Sequence, residues 1–371
     1  MTSSVAPAQR AHDLRGRIWR FAESATTPLL PADYLDLFAP LRHGAALRGR
    51  IVSVQPETPD AATIVIKPGA DWAGHVPGQY LRLGVDVDGV RQWRAYSLTH
   101  GPRPDGLISI TVKAVPDGVV SNHLVHRAEP GTLVHLEQAS GDFVLPPRGG
   151  RFLFVTAGSG ITPVIGMLRN LFPVTASGVL RLPRSADYDI VVLHVAPSAP
   201  DSIFAADLRA LDEAGAIRLL AHYDDVHGVL DIDQLAELVP DLAERRTFAC
   251  GPVGLLEALE RHHESRGLEL LTEQFRVNRV VVGEGGTVSF ADSGVRIDVD
   301  GATPILEAAE ASGVLMPSGC RMGICYSCVL PLREGAVRDL RTGEVTTASE
   351  GDGVVVQTCI NAAAGDCTID H

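Results

Sequence analysis

The sequence predicts a multidomain α+β chain: a small antiparallel β-barrel, then a parallel α/β sheet, then a short strand-rich domain. Three observations carry the prediction. Between Leu47 and about Leu145 the chain is a series of short strand-like runs separated by Gly, Pro and Asp turns. After Arg148-Gly149-Gly150, strands alternate with helices, the pattern of a parallel sheet. Past Gly283, Gly285 and Gly286 the short strands return, and five of the six cysteines collect there.

Length and composition bound the function. At 371 residues the chain has room for two or three domains. Its 32 Lys and Arg against 45 Asp and Glu leave a formal charge of −13, which argues against a nucleic-acid partner. A hydrophobic content of 45% is ample for buried cores. No apolar run approaches the roughly 20 residues of a membrane span, and the first residues (MTSSVAPAQRAHDLRGR) have no apolar signal core. Six cysteines in such a chain do not read as a disulfide framework. The expectation is a cytoplasmic protein, peripheral to a membrane only through a membrane-bound partner.

Element by element, residues 1–45 read as an arm with one or two short helices. Leu14, Ile18 and Phe21 fall on one helical face and Tyr34, Leu37 and Leu41 on another, with Pro28, Pro31 and Pro40 as interruptions. The barrel, residues 46–148, is built from LRGRIVSV, TIVIKP, GQYLRLGVDVDG, RQWRAYSL and LISITVKAV, with a helix at SNHLVHRA. The α/β domain, 149–277, opens with the strand RFLFVTA, the turn GSGITP and the helix VIGMLRNLF. DIVVLHVAP begins a further strand, and another ends in TFACGP before the helix GLLEALERHHESRG. The Gly-rich joint leads into residues 284–371, with strands at TVSF, VRIDVD and VVVQTCI and a helix at ILEAAEAS.

The cysteines carry the sharpest signal. Cys320, Cys325, Cys328 and Cys359 have the spacing C-x4-C-x2-C, then 30 residues, then a last Cys. Four thiolates so spaced suit a 2Fe–2S cluster. Gly319 and Gly323 let the backbone curl and aim N–H groups at the cluster sulfurs, favouring the more negative reduced state. Zinc sites prefer paired short C-x2-C units, and only one is present. Cys367 falls outside the pattern. ILEAAEASG and PSGCRMGICYSC closely resemble plant-type ferredoxins, whose fold is a β-grasp.

Arg94-Ala95-Tyr96-Ser97, at the end of a barrel strand, matches the R-x-Y-S pattern of the ferredoxin–NADP reductase superfamily. Alone it could be any strand. It gains weight from PGQY (Pro77 to Tyr80), from ITVK with Val112 and Lys113, and from GVVSNHL, which holds Gly118, Val120, Ser121 and Asn122. The resemblance implies that Arg94 pairs with a flavin phosphate, Tyr96 packs along the isoalloxazine and Ser97 hydrogen-bonds near N5. A guanidinium matches phosphate geometry, and a hydroxyl at N5 steadies the atom that accepts hydride. Ser121 and Asn122 open the helix that would receive the pyrophosphate of FAD. FMN is the alternative flavin.

Gly158-Ser159-Gly160-Ile161-Thr162-Pro163 follows a strand and opens a helix, a turn at which backbone can approach a pyrophosphate. In the superfamily it faces Cys250-Gly251-Pro252, so the resemblance places Thr162 and Cys250 beside the nicotinamide and Glu273 and Phe275 near the flavin. Where a 2′-phosphate wants Arg or Lys, the chain reads HVAPSAPD and HYDDVHG, with Asp224 and Asp225. That favours NADH over NADPH.

Residues 47–371 thus resemble a ferredoxin–NADP-reductase-type module fused to a C-terminal plant-type ferredoxin, as in oxygenase and desaturase reductases. The arm resembles actinobacterial reductases that serve membrane fatty acyl-CoA desaturases. The implied activity passes hydride from NAD(P)H to FAD, then single electrons through the cluster to an oxygen-activating iron enzyme. Plant-type clusters lie at about −400 mV, low enough for that task. A cytochrome P450, a Rieske oxygenase and an alkane hydroxylase are alternative acceptors. A redox sensor with flavin and cluster but little turnover is the alternative of another class. Residues 284–371 hold 13 Asp and Glu against 5 Arg, a net −8, which suits either docking on a basic acceptor or plain solubility.

Overall fold

The computed structural model describes residues 31–87, 89–116, 118–174, 188–275, 283–319, 321, 323 and 326–371. Three sheets follow one another along the chain. The expected first helix, around Leu14, Ile18 and Phe21, lies outside the described residues. The second forms at Pro31–Phe38, where the proline suits a first helical turn.

The first sheet comprises β1 (Arg48–Thr58), β2 (Ala61–Pro68), β3 (Tyr80–Val87), β4 (Val90–Ser97), β5 (Ile108–Lys113) and β6 (Leu133–Leu136). Its order is β4-β3-β6-β1-β2-β5, with antiparallel neighbours. A Leu98–Ile110 bridge draws the two end strands together and nearly closes the barrel. Period-2 alternation sends Leu81, Leu83 and Val85 inward with Ile64, Ile66 and Ile110. The helix Val119–His126 packs on this core through Val120 and Leu124.

The second sheet is parallel: β7 (Gly150–Ala157), β8 (Tyr188–Ala196), β9 (Arg218–Tyr223), β10 (Arg246–Cys250) and β11 (Leu270–Glu273), in the order β11-β10-β7-β8-β9. β7 and β8 are buried almost throughout, as strands covered on both faces must be. Strand order reverses between β7 and β10. Ligands of open parallel sheets bind in the crevice above such a reversal, at the strands' carboxyl ends.

The third sheet holds β12 (Gly283–Phe290), β13 (Arg296–Gly301), β14 (Val329–Asp339), β15 (Val345–Ala348), β16 (Val355–Gln357) and β17 (Asn361–Ile369). Its main path is β13-β12-β17-β14-β15, with β12 and β17 parallel and β16 paired to β14. The helix Ile305–Ala311 buries Ile305, Leu306 and Ala309 in the same core.

Two readings of the sequence change here. The Gly-rich joint is not a loop: Gly283, Gly285 and Gly286 lie within β12, which carries a register shift between Gly283 and Gly286. A Cβ on Gly286 would stand 2.4 Å from the Gly365 backbone, so glycine there permits strand contact rather than a hinge. VVVQTCI is not one strand either. Extended structure stops at Gln357 and the chain turns through Thr358, Cys359 and Ile360.

Candidate functional site

A cavity of about 740 Å³ lies where the three sheets meet. From β4 it is lined by Arg94, Ala95, Tyr96 and Ser97, and from β5 by Thr111 and Lys113. These strands are the two ends of the barrel sheet, so the cavity occupies the barrel's seam. Gly118, Val120 and Ser121 line it from the helix at its rim, Ser159 and Thr162 from the turn after β7, and Phe275 from beyond β11. The third domain contributes Pro304, Glu307, Arg321, Leu340, Cys359 and Ile360.

The seam residues fit a flavin. Ser97 is buried and its Oγ has no hydrogen-bond partner among the described residues, so a polar atom of a ligand would satisfy it. Arg94 donates from Nη1 to Trp93 O at 2.7 Å. Burial, helped by the charge of Arg321, holds its guanidinium down to about 10. Arg321 is itself paired with Glu310 at 2.5 Å, so among the described residues Arg94 is the cation of this wall available to an anion. Burial raises the Tyr96 phenol well above its ordinary range, so it stays neutral against an aromatic ring.

The helix Val119–His126 begins at Gly118 with no side-chain cap, leaving its first N–H groups for a phosphate. A Cβ on Gly118 would fall 2.4 Å from Ser121 Oγ and 2.5 Å from Val115 Cγ2. Asn122 turns back instead, donating from Nδ2 to Val115 O and Gly118 O, each at 2.8 Å. It shapes the loop rather than lining the cavity. Lys113 lines the cavity while pairing with Asp60 at 2.9 Å. Val112, one residue out of phase, packs in the barrel core.

The two glycine turns, at 158–163 and 250–252, meet at the reversal of strand order. Gly158 takes a φ of +53° in a 3₁₀ turn through Gly160 that leads into the helix Ile161–Leu171. A Cβ on Gly160 would lie 2.0 Å from Cys250 O, so only glycine lets the turns meet. Thr162 donates from Oγ1 to Ser159 O at 2.9 Å, and Pro163 lies in the first turn of the helix. Gly251 approaches Ala157, and Pro252 stands just before the helix Val253–Glu264. Cys250 is fully buried, in the core cluster against which Phe275 packs. Burial, with Glu273 adding to it, raises its thiol far above the ordinary range, so it stays neutral; it packs in the core behind the cavity rather than lining it.

Glu273 pairs with Cys250 in the β10–β11 register, and burial pushes its carboxyl up to about 8. The folded protein therefore keeps a proton that the unfolded chain loses in the ordinary carboxylate range. Wild-type stability should fall as pH rises from about 5 toward 8, at no more than about 1.4 kcal/mol per pH unit. Glu273→Gln removes this dependence. Denaturant midpoints for both proteins across that range should diverge steadily; a constant offset would refute the raised carboxyl.

Of the four predicted cluster ligands, Cys320 and Cys325 lie outside the described residues. Cys328 and Cys359 are buried and tied together, since Thr358 donates to Cys328 O from N at 3.1 Å and from Oγ1 at 3.0 Å. Gly323, at a φ of +75°, accepts from Gln357 Nε2 at 2.9 Å. Cys367 is buried in the domain core, its thiol raised to about 11 by desolvation. Thr111, Ser159 and Arg321 also line the cavity; each lies inside a segment read from the sequence (ITVK, GSGITP and PSGCRMGICYSC), though none of the three is singled out there as a site residue.

Residues 55–145 match the oxidoreductase FAD-binding domain family, and residues 288–363 the 2Fe-2S iron-sulfur cluster binding domain. Over 361 residues the chain is 46% identical to a Mycobacterium tuberculosis "NADPH oxidoreductase", covering 95% of this chain and 91% of that protein. The chain belongs to the ferredoxin–NADP reductase superfamily, in its fusion with a C-terminal 2Fe–2S ferredoxin domain. This reductase is 29% identical to the glycine betaine monooxygenase reductase subunit of Chromohalobacter salexigens, across 76% of its own length and 84% of the relative. Its fold matches phthalate dioxygenase reductase with a TM-score of 0.58 at 22% identity, covering 87% of this chain and 97% of that one. The reductase is an NAD(P)H-dependent flavin oxidoreductase with FAD and a 2Fe–2S cluster as its cofactors. Among the described residues no helix is long and apolar enough to cross a membrane.

Proposed function

We propose that the reductase draws electrons from NADH and delivers them singly to an oxygen-activating iron enzyme, of which a fatty acyl-CoA desaturase is the preferred case. One observation carries the electron path: Ser97 and Tyr96 of the flavin seam, Thr162 of the nucleotide turn and Cys359 of the cluster set line the same cavity. We assign residues 46–148 to flavin, 149–277 to the nucleotide and 284–371 to the cluster. Bound flavin accepts two electrons as hydride and releases them one at a time, and the cluster relays single electrons.

The chain's own residues do the rest. Arg94 and the N–H groups of the helix after Gly118 anchor phosphates. Ser97 Oγ hydrogen-bonds at the reacting edge of the ring. The close-set turns at Gly160 and Cys250 hold the nicotinamide, while Phe275, with the neutral thiol in the core behind it, keeps that wall dry.

Two loops support NADH. Asp225 N donates to Pro197 O at 3.1 Å, bringing the segments after β8 and β9 together. Residues 197–204 and 223–230 contain no Lys or Arg but include Asp201, Asp224 and Asp225. Carboxylates there suit ribose hydroxyls and repel a 2′-phosphate. The name of the M. tuberculosis relative favours a second reading, NADPH.

An anaerobic titration with each nucleotide, followed by visible absorption and low-temperature EPR, tests the path and the choice together. The expected result is flavin bleaching and then a rhombic cluster signal, at lower concentration with NADH. Tighter action by NADPH would refute the ribose assignment. Bleaching by neither nucleotide would refute the electron path in favour of a sensor.

For the acceptor, the resemblance of the arm supports a desaturase; the monooxygenase relatives support an oxygenase. Reconstitution with desaturase membranes and a saturated acyl-CoA should yield a double bond dependent on reduced nucleotide. Product formation only with a soluble monooxygenase would refute the desaturase.

A further inference from the structure

We propose that Arg82 is a positioning residue that clamps the cluster-bearing loop to the flavin barrel and so fixes the path that electrons take between them. The proposal rests on the electron path inferred above. Arg82 lies in β3, directly opposite Ala95 in the β3–β4 ladder and thus between Arg94 and Tyr96 on the neighbouring strand. Its side chain takes the face away from the barrel core. Yet the residue is only 7% exposed, because the third domain covers it.

The guanidinium is held on both sides. On the barrel, Nη1 donates to Glu137 Oε2 at 2.8 Å and the group lies 5.3 Å from the Trp93 ring centroid. Across the boundary, Nη1 also donates to Ser327 Oγ at 2.9 Å and Nη2 to Ser318 O at 2.9 Å. Ser318 and Ser327 bracket the loop that carries Cys320 and Cys325, and Ser327 precedes Cys328. One planar fork therefore grips both ends of the cluster loop from the strand paired with β4, which lines the flavin cavity.

The barrel and the cluster domain are separated along the chain by the whole α/β sheet, and domains move relative to one another unless an interface holds them. Transfer between flavin and cluster depends steeply on their separation, so a fixed fork turns a mobile pair into a defined route. A lysine could not replace it, since a single ammonium cannot span Glu137, Ser327 and the Ser318 carbonyl in one plane.

The test uses the full-length holoprotein with Arg82→Ala, Arg82→Lys and Ser327→Ala. Anaerobic rapid mixing reads flavin bleaching and cluster reduction separately. Hydrogen exchange of peptides spanning 316–330 reads the loop without turnover. For both Arg82 variants we expect bleaching at the wild-type rate, an unchanged cluster potential, cluster reduction slower by about tenfold or more, and faster exchange in the loop. Ser327→Ala, which leaves every barrel contact of Arg82 in place, should give the same pattern more weakly.

Wild-type cluster reduction and exchange in Ser327→Ala, with loss of FAD in the Arg82 variants, would overturn the clamp and leave Arg82 a barrel residue. Slower cluster reduction with a shifted potential would overturn it too, pointing to a damaged cluster environment. A wild-type cluster that reduced nucleotide leaves oxidised would instead refute the electron path, while the exchange result would still judge the clamp.

Discussion

Cys359→Ala should abolish electron delivery to one-electron acceptors such as cytochrome c, to background, while reduced nucleotide still bleaches the flavin at the wild-type rate. The cluster needs four thiolates, and Cys359 is the proposed ligand that, among the described residues, lines the cavity. It lies in a turn tied to Cys328 through Thr358, so loss of its sulfur would take one of the thiolates proposed to hold the cluster, on the cavity side. Cys367→Ala is the matched control: that thiol packs in the domain core and the cluster signal should survive. Anaerobic absorption and EPR on both variants decide the matter. Retained cytochrome c reduction by Cys359→Ala would remove the cluster from the path.

Arg94 and Ser97 should separate holding the flavin from using it. Arg94 lacks a carboxylate partner among the described residues, and Arg321 bears on it across the cavity. Its replacement by alanine removes a charge-assisted contact to phosphate and should weaken FAD binding by about 10- to 100-fold. Lysine should restore only part of this, because it cannot match phosphate with a planar fork. Ser97→Ala should retain FAD but slow its reduction by nucleotide about 100-fold, the usual cost of losing one aimed donor. FAD retention measured by dialysis, with bleaching rates by rapid mixing, checks both. Equal FAD loss in the two variants would refute the division of labour.

How much of this could be read from the sequence follows from how local each signal is. R-A-Y-S, the two glycine turns and the cysteine spacing are short segments whose chemistry is fixed by neighbours a few positions away. The structure gathers R-A-Y-S and, from the first glycine turn, Ser159 and Thr162 around one cavity, together with Cys359, while the Cys250 turn meets Gly160 without lining it. β9 was not legible: RLLAHY is partly exposed along its length and has neither clean alternation nor a buried run. β6 is only four residues long. Asn122 reads, with Ser121, as the opening of a helix that receives a pyrophosphate; its side-chain NH2 is held instead by two carbonyls of its own loop, contacts that sequence alone does not show. Arg82 left no trace at all. Its contacts lie 236 and 245 positions away, beyond any motif.

The cavity's place at the barrel seam carries a consequence for biogenesis. β4 and β5 end the sheet, so their outer edges present backbone groups that no neighbouring strand satisfies along its whole length. Exposed edges of that kind recruit other chains. With FAD seated in the seam as proposed, cofactor loading also serves as edge protection. Chains made faster than flavin can be supplied would then self-associate, and riboflavin in the growth medium would raise the soluble yield as well as the activity.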